Sequence, residues 1–406
     1  MRRWICLLIV LGLAGCRPDA PPPVAPAPAA EAPAASATAP AAPGLPAPTP
    51  TSEAPAAPTP PSGSPTATQG LPATSPPAAP PDDSAAVLRA AREAQPRDAV
   101  ALARSWGLVS GEVALPVLPD PAPGDQAVFW ATNTNTNQHF QVTATLRVST
   151  DHLLMYVAAD ITATDQELEE AAATFEGRGW PLLSRWYDQS ALPARPITVL
   201  NANIPGVGGY YAADNELPRA LNPYSNEREI VFINASGVRI GSQSYIGVLI
   251  HEIQHLLQRN TRADPATWFN EGSSMLSEYR AGYGDDALVS AFLAAPDVQL
   301  NGWADSPGSA SRHYGAAELF LRYLDDQIGG LSIGALARSD AGDQLEQLTG
   351  LLAARYPDLA DFADVYAAWA VANLINDPSI NDGRYGYPAL PQTVQPQAAA
   401  GGEATI

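Results

Sequence analysis

Residues 245–260 read YIGVLIHEIQHLLQRN. The apolar positions Tyr245, Val248, Leu249, Ile253, Leu256 and Leu257 recur at intervals of three and four, the spacing of a buried helical face, and no Gly or Pro interrupts residues 248–258. Residues four apart on a helix share a face. His251 and His255 can therefore offer two imidazoles to one metal ion, with Glu252 set to one side of it. Two His and one Glu within five positions also arise by chance, so a metal site asks for a second, independent element.

That element lies sixteen residues beyond His255. A zinc hydrolase needs three protein ligands and an open position for water. Trp268-Phe269-Asn270-Glu271-Gly272 opens a new helical pattern after the loop RNTRADPAT, so the chain can turn back and bring Glu271 beside the first helix. HExxH followed after a short gap by NEG resembles the gluzincin metallopeptidases. The resemblance implies a single Zn2+ ion held by His251, His255 and Glu271. More narrowly, LIHEIQHLLQ, WFNEGSSMLSEY, the upstream GGYYAAD and SNEREIVFIN, and the downstream LNGWADS, HYGAAELFLRYL and GRYGY resemble the hyicolysin family of metallopeptidases and related bacterial envelope proteins, over residues 126–387.

Zinc lowers the pKa of water towards about 7, and Glu252 is placed to take the proton of that water and pass it to a leaving amine. Its alternative reading is a solvent-facing helix carboxylate. Glu278 follows Glu271 by seven residues, two helical turns, and by resemblance orients His251; otherwise it is a surface helix charge. Met275 stands where thermolysin-like enzymes carry Asp. His313 and Tyr314 are the candidates for stabilising an oxyanion, with Tyr279 behind them, although Tyr314 can equally be a core aromatic at a helix start. His139 and His152 fall in β-rich sequence, where strand or turn roles are expected. Residues 229–234, EIVFIN, are a candidate edge strand for an extended peptide, and the chain contains no GxMEN motif of aminopeptidases.

Around this centre the periodicity divides the chain. From Gln126 it is two: AVFWATN, HFQVTATLRV and HLLMYVAADI, separated by NTNTNQ and STD, predict a three-stranded antiparallel meander. Thr164-Asp165-Gln166-Glu167 is a capping box for a helix that resumes past Gly179 and Pro181 as LLSRWYDQ. From residue 268 onward the patterns are helical almost to residue 376. The expected fold class is α+β: an N-terminal antiparallel β-rich lobe, then a mostly helical lobe, gluzincin-like, with the zinc site on the helix between them.

The chain begins as an exported protein does. Arg2 and Arg3 precede a short apolar run and then Leu13-Ala14-Gly15-Cys16, which resembles a bacterial lipoprotein signal. The resemblance implies a lipoprotein signal segment over residues 1–16, cut before Cys16 with lipidation of that cysteine, and so a membrane partner reached through a lipid anchor; an ordinary secretory signal or an uncleaved anchor is the alternative. Residues 17–83 are Pro, Ala, Thr and Ser with almost no large apolar side chain, a disordered tether. At ~3.1 Å per residue it would reach on the order of 200 Å if fully extended. Short helices are expected over residues 84–95 and 97–106, in a linker of 84–125 that is either a collar or a propeptide remnant. Residues 126–387 are the expected metallopeptidase domain, and 388–406 a disordered tail. Cys6 and Cys16 are the chain's two cysteines, so residues 17–406 contain no thiol to bind zinc or bridge. The formal charge of −20 with no Lys argues against nucleic acid as a partner.

The sequence thus predicts an extracytoplasmic, lipid-anchored zinc endopeptidase acting on protein or peptide. The alternatives are a catalytically inactive, peptidase-like binding or adhesion lipoprotein, and an amidase of cell-wall peptides using the same site.

Overall fold

The sheet begins where the period changes to two. Strands β2 (Gln126–Asn133) and β3 (Gln138–Ser149) form a hairpin in register Thr132↔His139, turning through Asn137 at φ 56°. Asn tolerates that left-handed conformation. β4 (Leu153–Ala158) pairs antiparallel with β3, which completes the predicted meander. The computed structural model describes residues 6–8, 99–261, 266–303, 307–330, 333, 336, 344–394, 397–398 and 404–405. Cys16, the tether and the helix expected over residues 84–95 lie outside them. Of the linker helices, α1 (Ala99–Ser105) is described, and Arg195 binds the carbonyls of Leu118 and Pro119 and the carboxylate of Asp120 beyond it. Among the described residues no helix is long and apolar enough to cross a membrane.

Beyond β4 the sheet departs from the antiparallel expectation. The chain leaves β4 through α2 (Asp165–Thr174), a π turn (Phe175–Gly179) and α3 (Trp180–Trp186), and returns as β5 (Ile197–Ala202) parallel to β4. A helical crossover of this length is what a parallel pair requires. The capping box is present: Thr164 Oγ1 accepts from Glu167 N at 3.1 Å, and Glu167 Oε2 accepts from Thr164 N at 2.9 Å. β7 (Ile230–Asn234) pairs parallel to β5, and β6 (Gly209–Tyr211) antiparallel to β7. With β1 (Cys6–Leu8) on β6, the order is β1-β6-β7-β5-β4-β3-β2, a mixed sheet. The strand EIVFIN, expected at an edge, is therefore interior, between β6 and β5. Its four buried residues in succession fit a strand covered on both faces.

Alternate residues of β4 show why both faces are covered. Leu153, Met155 and Val157 join the core under the helices; Tyr156 and Ala158 join a second core with Phe129, Ala131, Leu200, Tyr210 and Phe232. The β2–β3 hairpin closes this second core by curling over it. The amide of Asn226 accepts from Trp130 N and donates to Trp130 O, both at 2.9 Å, as a neighbouring strand would, and Thr132 N donates to the Tyr210 hydroxyl at 3.0 Å.

The helical half follows in the predicted order. α4 (Gln243–Thr261) lies against β6 and β7 and packs on α5 (Thr267–Ala281), which ends at Gly282 in the left-handed conformation, φ 86°. α6 (Ala287–Ala294), α7 (Pro307–Ile328), α8 (Gln344–Arg355) and α9 (Phe362–Ile375) complete it, and the fold class is α+β. The segment GRYGY is bound to these helices: Tyr323 donates to the Arg384 carbonyl, and Arg384 pairs with Asp358 and Asp382. Packing does not stop at residue 387. Leu390 and Val394 are buried, and Asn376 donates to the carbonyls of Leu390 and Gln392.

Candidate metal centre

α4 carries His251, Glu252 and His255, all buried, with the two His on the side that meets α5. α5 brings Glu271, 2% exposed, alongside them. Glu271 Oε2 lies 3.4 Å from His251 Nε2 and 3.5 Å from His255 Nε2, and the two rings stand nearly perpendicular with centroids 4.6 Å apart. The three ligand atoms lie within 4.8 Å of one another, so this buried group can hold a metal ion. His251 Nε2 and Glu271 Oε2 have no hydrogen-bond partner. Buried polar atoms are otherwise almost always satisfied, and an orphaned pair facing one point calls for a ligand.

The other nitrogens are occupied. His251 Nδ1 is 2.7 Å from Glu278 Oε1, and His255 Nδ1 is 3.1 Å from Asn270 Oδ1. With carboxylate and amide oxygens as their partners both Nδ1 atoms act as donors, and Nε2 is the nitrogen of each ring that faces Glu271. Burial alone would lower the pKa of His251, but the Glu271 and Glu278 carboxylates overcome it and raise the value. Glu271, although burial opposes it, is held low by the two imidazoles. Glu278 is thus no surface charge; it is 7% exposed and bound to a candidate ligand.

Glu252 is not solvent-facing either. Both its oxygens are buried without partners, and burial pushes its carboxyl up to about 7, only partly offset by His251 and His255. The backbone of β6 closes over it: a Cβ on Gly209 would meet Val248 Cγ1 at 2.6 Å and Glu252 Oε1 at 3.1 Å. The GGYY sequence supplies the one residue type that lets strand and helix approach so closely.

The remaining candidates are placed less tightly. His313 faces the backbone of Gln299 and Gly302, its ring 5.8 Å from Trp303, and its Nδ1 is buried without a partner. Tyr314 is buried edge-on to the same Trp303 at 4.9 Å. Tyr279 lies under the Arg322 guanidinium at 3.6 Å. His139 stacks on Tyr224 and bonds to Thr132, and His152 bonds to Glu176 and stacks on Trp180, structural roles for both.

Sequence reasoning missed four buried polar groups around the centre. Asn270 precedes Glu271 in the NEG motif and was readable from that adjacency. Gln254, Ser274 and Glu318 give no local signal, since each is an ordinary polar residue on a helix. Glu318 on α7 is fully buried with neither oxygen partnered. No protein-family model matches this chain, and no curated protein matches it.

Proposed function

We propose that this chain is a zinc-dependent endopeptidase of the cell envelope. The observation that carries the reading is the convergence of His251 Nε2, His255 Nε2 and Glu271 Oε2 beside the unpartnered carboxylate of Glu252. Two ligands each about 2.0–2.1 Å from a tetrahedral ion lie roughly 3.3–3.4 Å apart, and the separations from Glu271 are 3.4 and 3.5 Å. Two imidazoles and one carboxylate, with no thiolate, suit zinc and leave a fourth position open. Zinc supplies a Lewis acid that lowers the pKa of water and polarises a carbonyl.

The chain's own residues do the rest. Glu252, whose carboxyl burial pushes up to about 7, accepts the proton of the attacking water and returns it to the amine nitrogen as the peptide bond breaks. Its burial without a partner is costly in a folded protein and has no evident packing return. Glu278 and Asn270 hold the two imidazoles in the tautomer that faces Glu271. The oxyanion falls to Tyr314 or His313, and of the two His313 keeps a free nitrogen, Nδ1.

With EIVFIN interior, the strand for pairing an extended substrate is β6, whose backbone lies against Glu252. The partner outside it, Cys6–Leu8, belongs to the expected leader. Cleavage of the leader frees that edge, and lipidation at Cys16 then holds the enzyme at a membrane, with peptide or protein as its substrate. The absence of an amine-binding GxMEN motif supports internal cleavage.

The test is hydrolysis of casein by the purified protein with and without a chelator, alongside Glu252→Gln. The expected result is a single zinc in both proteins and activity in the wild type alone. Equal activity in the zinc-loaded Glu252→Gln protein would overturn the assigned mechanism, and a wild type that keeps zinc but cleaves nothing would support the binding-protein alternative.

A further inference from the structure

Strand β6 divides its side chains between two faces. A Cβ on Gly209 would point to Val248 and Glu252, and Tyr211 packs in the core shared with α4. Tyr210, between them, points the opposite way and stacks on Phe232 at 4.3 Å in the second core. A peptide paired along β6 alternates in the same manner, so every second side chain is carried to the Tyr210 face, away from the metal ligands. On that face lies a cavity of about 430 Å3, lined by Tyr210 itself, by Trp130, Thr132 and His139 of the hairpin, and by Asp214 and Tyr224 of the loop after β6. Burial raises the pKa of the Tyr210 hydroxyl, and the charges of Asp214 and Glu252 add to the rise, so the cavity's carboxylate and the proposed base both act on one ring.

The rings form a corner. Trp130 and Tyr224 stand nearly perpendicular, at 82° with centroids 5.0 Å apart, and His139 stacks on Tyr224 at 4.0 Å. Tyr224 is 38% exposed, so the corner is reached from solvent. Asp214 is half-buried, and its carboxylate has neither a hydrogen bond nor an ion pair among the described residues. No Arg is among the residues lining the cavity. The lining amides are committed to the protein: Asn215 donates to the Ala212 carbonyl at 3.2 Å and accepts from Asn226 at 2.6 Å, while Asn222 donates to the Asp214 carbonyl at 3.1 Å and accepts from Tyr224 N at 3.2 Å. An unpaired carboxylate among aromatic rings suits an organic cation. A sugar, whose hydroxyls are read by amides, finds those amides turned inward.

We propose that this cavity is a substrate subsite that takes a Lys or Arg side chain of an extended peptide, with Asp214 setting the preference for positive charge. The inference rests on the peptidase reading above, with β6 as the strand that pairs the substrate. A purely structural role explains Asp214 poorly. Its backbone carbonyl holds Asn222, but its carboxylate holds nothing, and a charge drawn half out of water costs free energy that a cationic partner recovers.

The test is digestion of denatured casein by the purified, zinc-loaded protein, with the cleaved bonds mapped by mass spectrometry. Lys and Arg are expected at one position, fixed relative to the cleaved bond, about fivefold or more above their share of casein, as a hydrogen bond to a charged group allows. Asp214→Asn keeps the shape and removes the charge, and the enrichment should fall to about the casein share. Asp214→Lys should replace it with Asp and Glu at the same position. Basic enrichment that survives in Asp214→Asn would overturn the proposal, even if total cleavage slows, because Asp214 would then act only on the fold. So would a wild type that cuts casein with no basic preference at any fixed position, a result readable if neither variant folds. A wild type that cleaves nothing removes the peptidase reading and this subsite together, whereas cleavage without the preference removes the subsite alone.

Discussion

Glu278 Oε1 accepts a hydrogen bond from His251 Nδ1 at 2.7 Å, seven residues along α5 from Glu271, so one helix supplies both a candidate ligand and the support of another ligand. Losing that support leaves His251 free to change tautomer or rotate. Glu278→Leu is expected to weaken zinc binding about 10–100-fold. Glu278→Gln, which retains an acceptor oxygen, should weaken it less. Chelator competition on the two variants measures the order.

Gly247 lies one turn before His251 on α4. A Cβ there would stand 2.8 Å from Glu278 Oε2 and 3.0 Å from the Tyr283 carbonyl. Ala at an interior helix position is favoured over Gly by about 1 kcal/mol, which works against the clash. The carboxylate end of Glu278 can move to relieve the contact, but only by leaving His251. Gly247→Ala should therefore change the melting of the metal-free protein little, while lowering zinc affinity about tenfold. Unchanged zinc affinity would show that Glu278 has room to shift without loosening its bond.

How much of this was legible depends on whether the signal is local. The three-and-four spacing around HEIQH, the capping box at Thr164 and the alternation of the hairpin strands are all written within a few residues, and each element is present. Strand order is not. EIVFIN reads the same at an edge or inside a sheet; what buries it is a crossover from β5 and the return of β6. The polar surroundings of the site were hidden for a related reason. Sequence patterns assume that a helix buries one face, whereas α4 is buried at every position of residues 245–258. Gln254, Gln258 and Ser274 therefore look like solvent-facing positions until the elements that cover them are in place.

Asn226 tests whether the sheet closure can be separated from the site. Its buried amide pairs with both backbone groups of Trp130 and donates to Asn215 Oδ1 at 2.6 Å. Asn226→Ala strands three polar groups, of which those on half-buried Trp130 can recover water. A loss of about 2–3 kcal/mol of stability is expected, with zinc affinity unaltered, because no element of the metal centre touches the amide. Urea unfolding alongside chelator competition distinguishes the two effects.

Glu318 supplies the pH dependence. Burial raises its pKa well above the ordinary 4.5, Glu278 adds to the rise, and Arg322 offsets it only in part. The folded protein therefore keeps a proton that the unfolded chain releases. With fewer protons bound in the unfolded state, stability falls as pH rises. The contribution is fully present below the unfolded pKa and is lost progressively up to the folded one, at about 1.4 kcal/mol for each pH unit between them. Glu318→Gln has nearly the same shape and nothing to titrate. Urea midpoints of the wild type should fall from pH 5 to pH 8 more steeply than those of the variant, and Glu318→Gln should be the more stable protein at pH 8. Parallel profiles would mean that Glu318 ionises in the folded state as readily as in the unfolded one, against its burial without a partner.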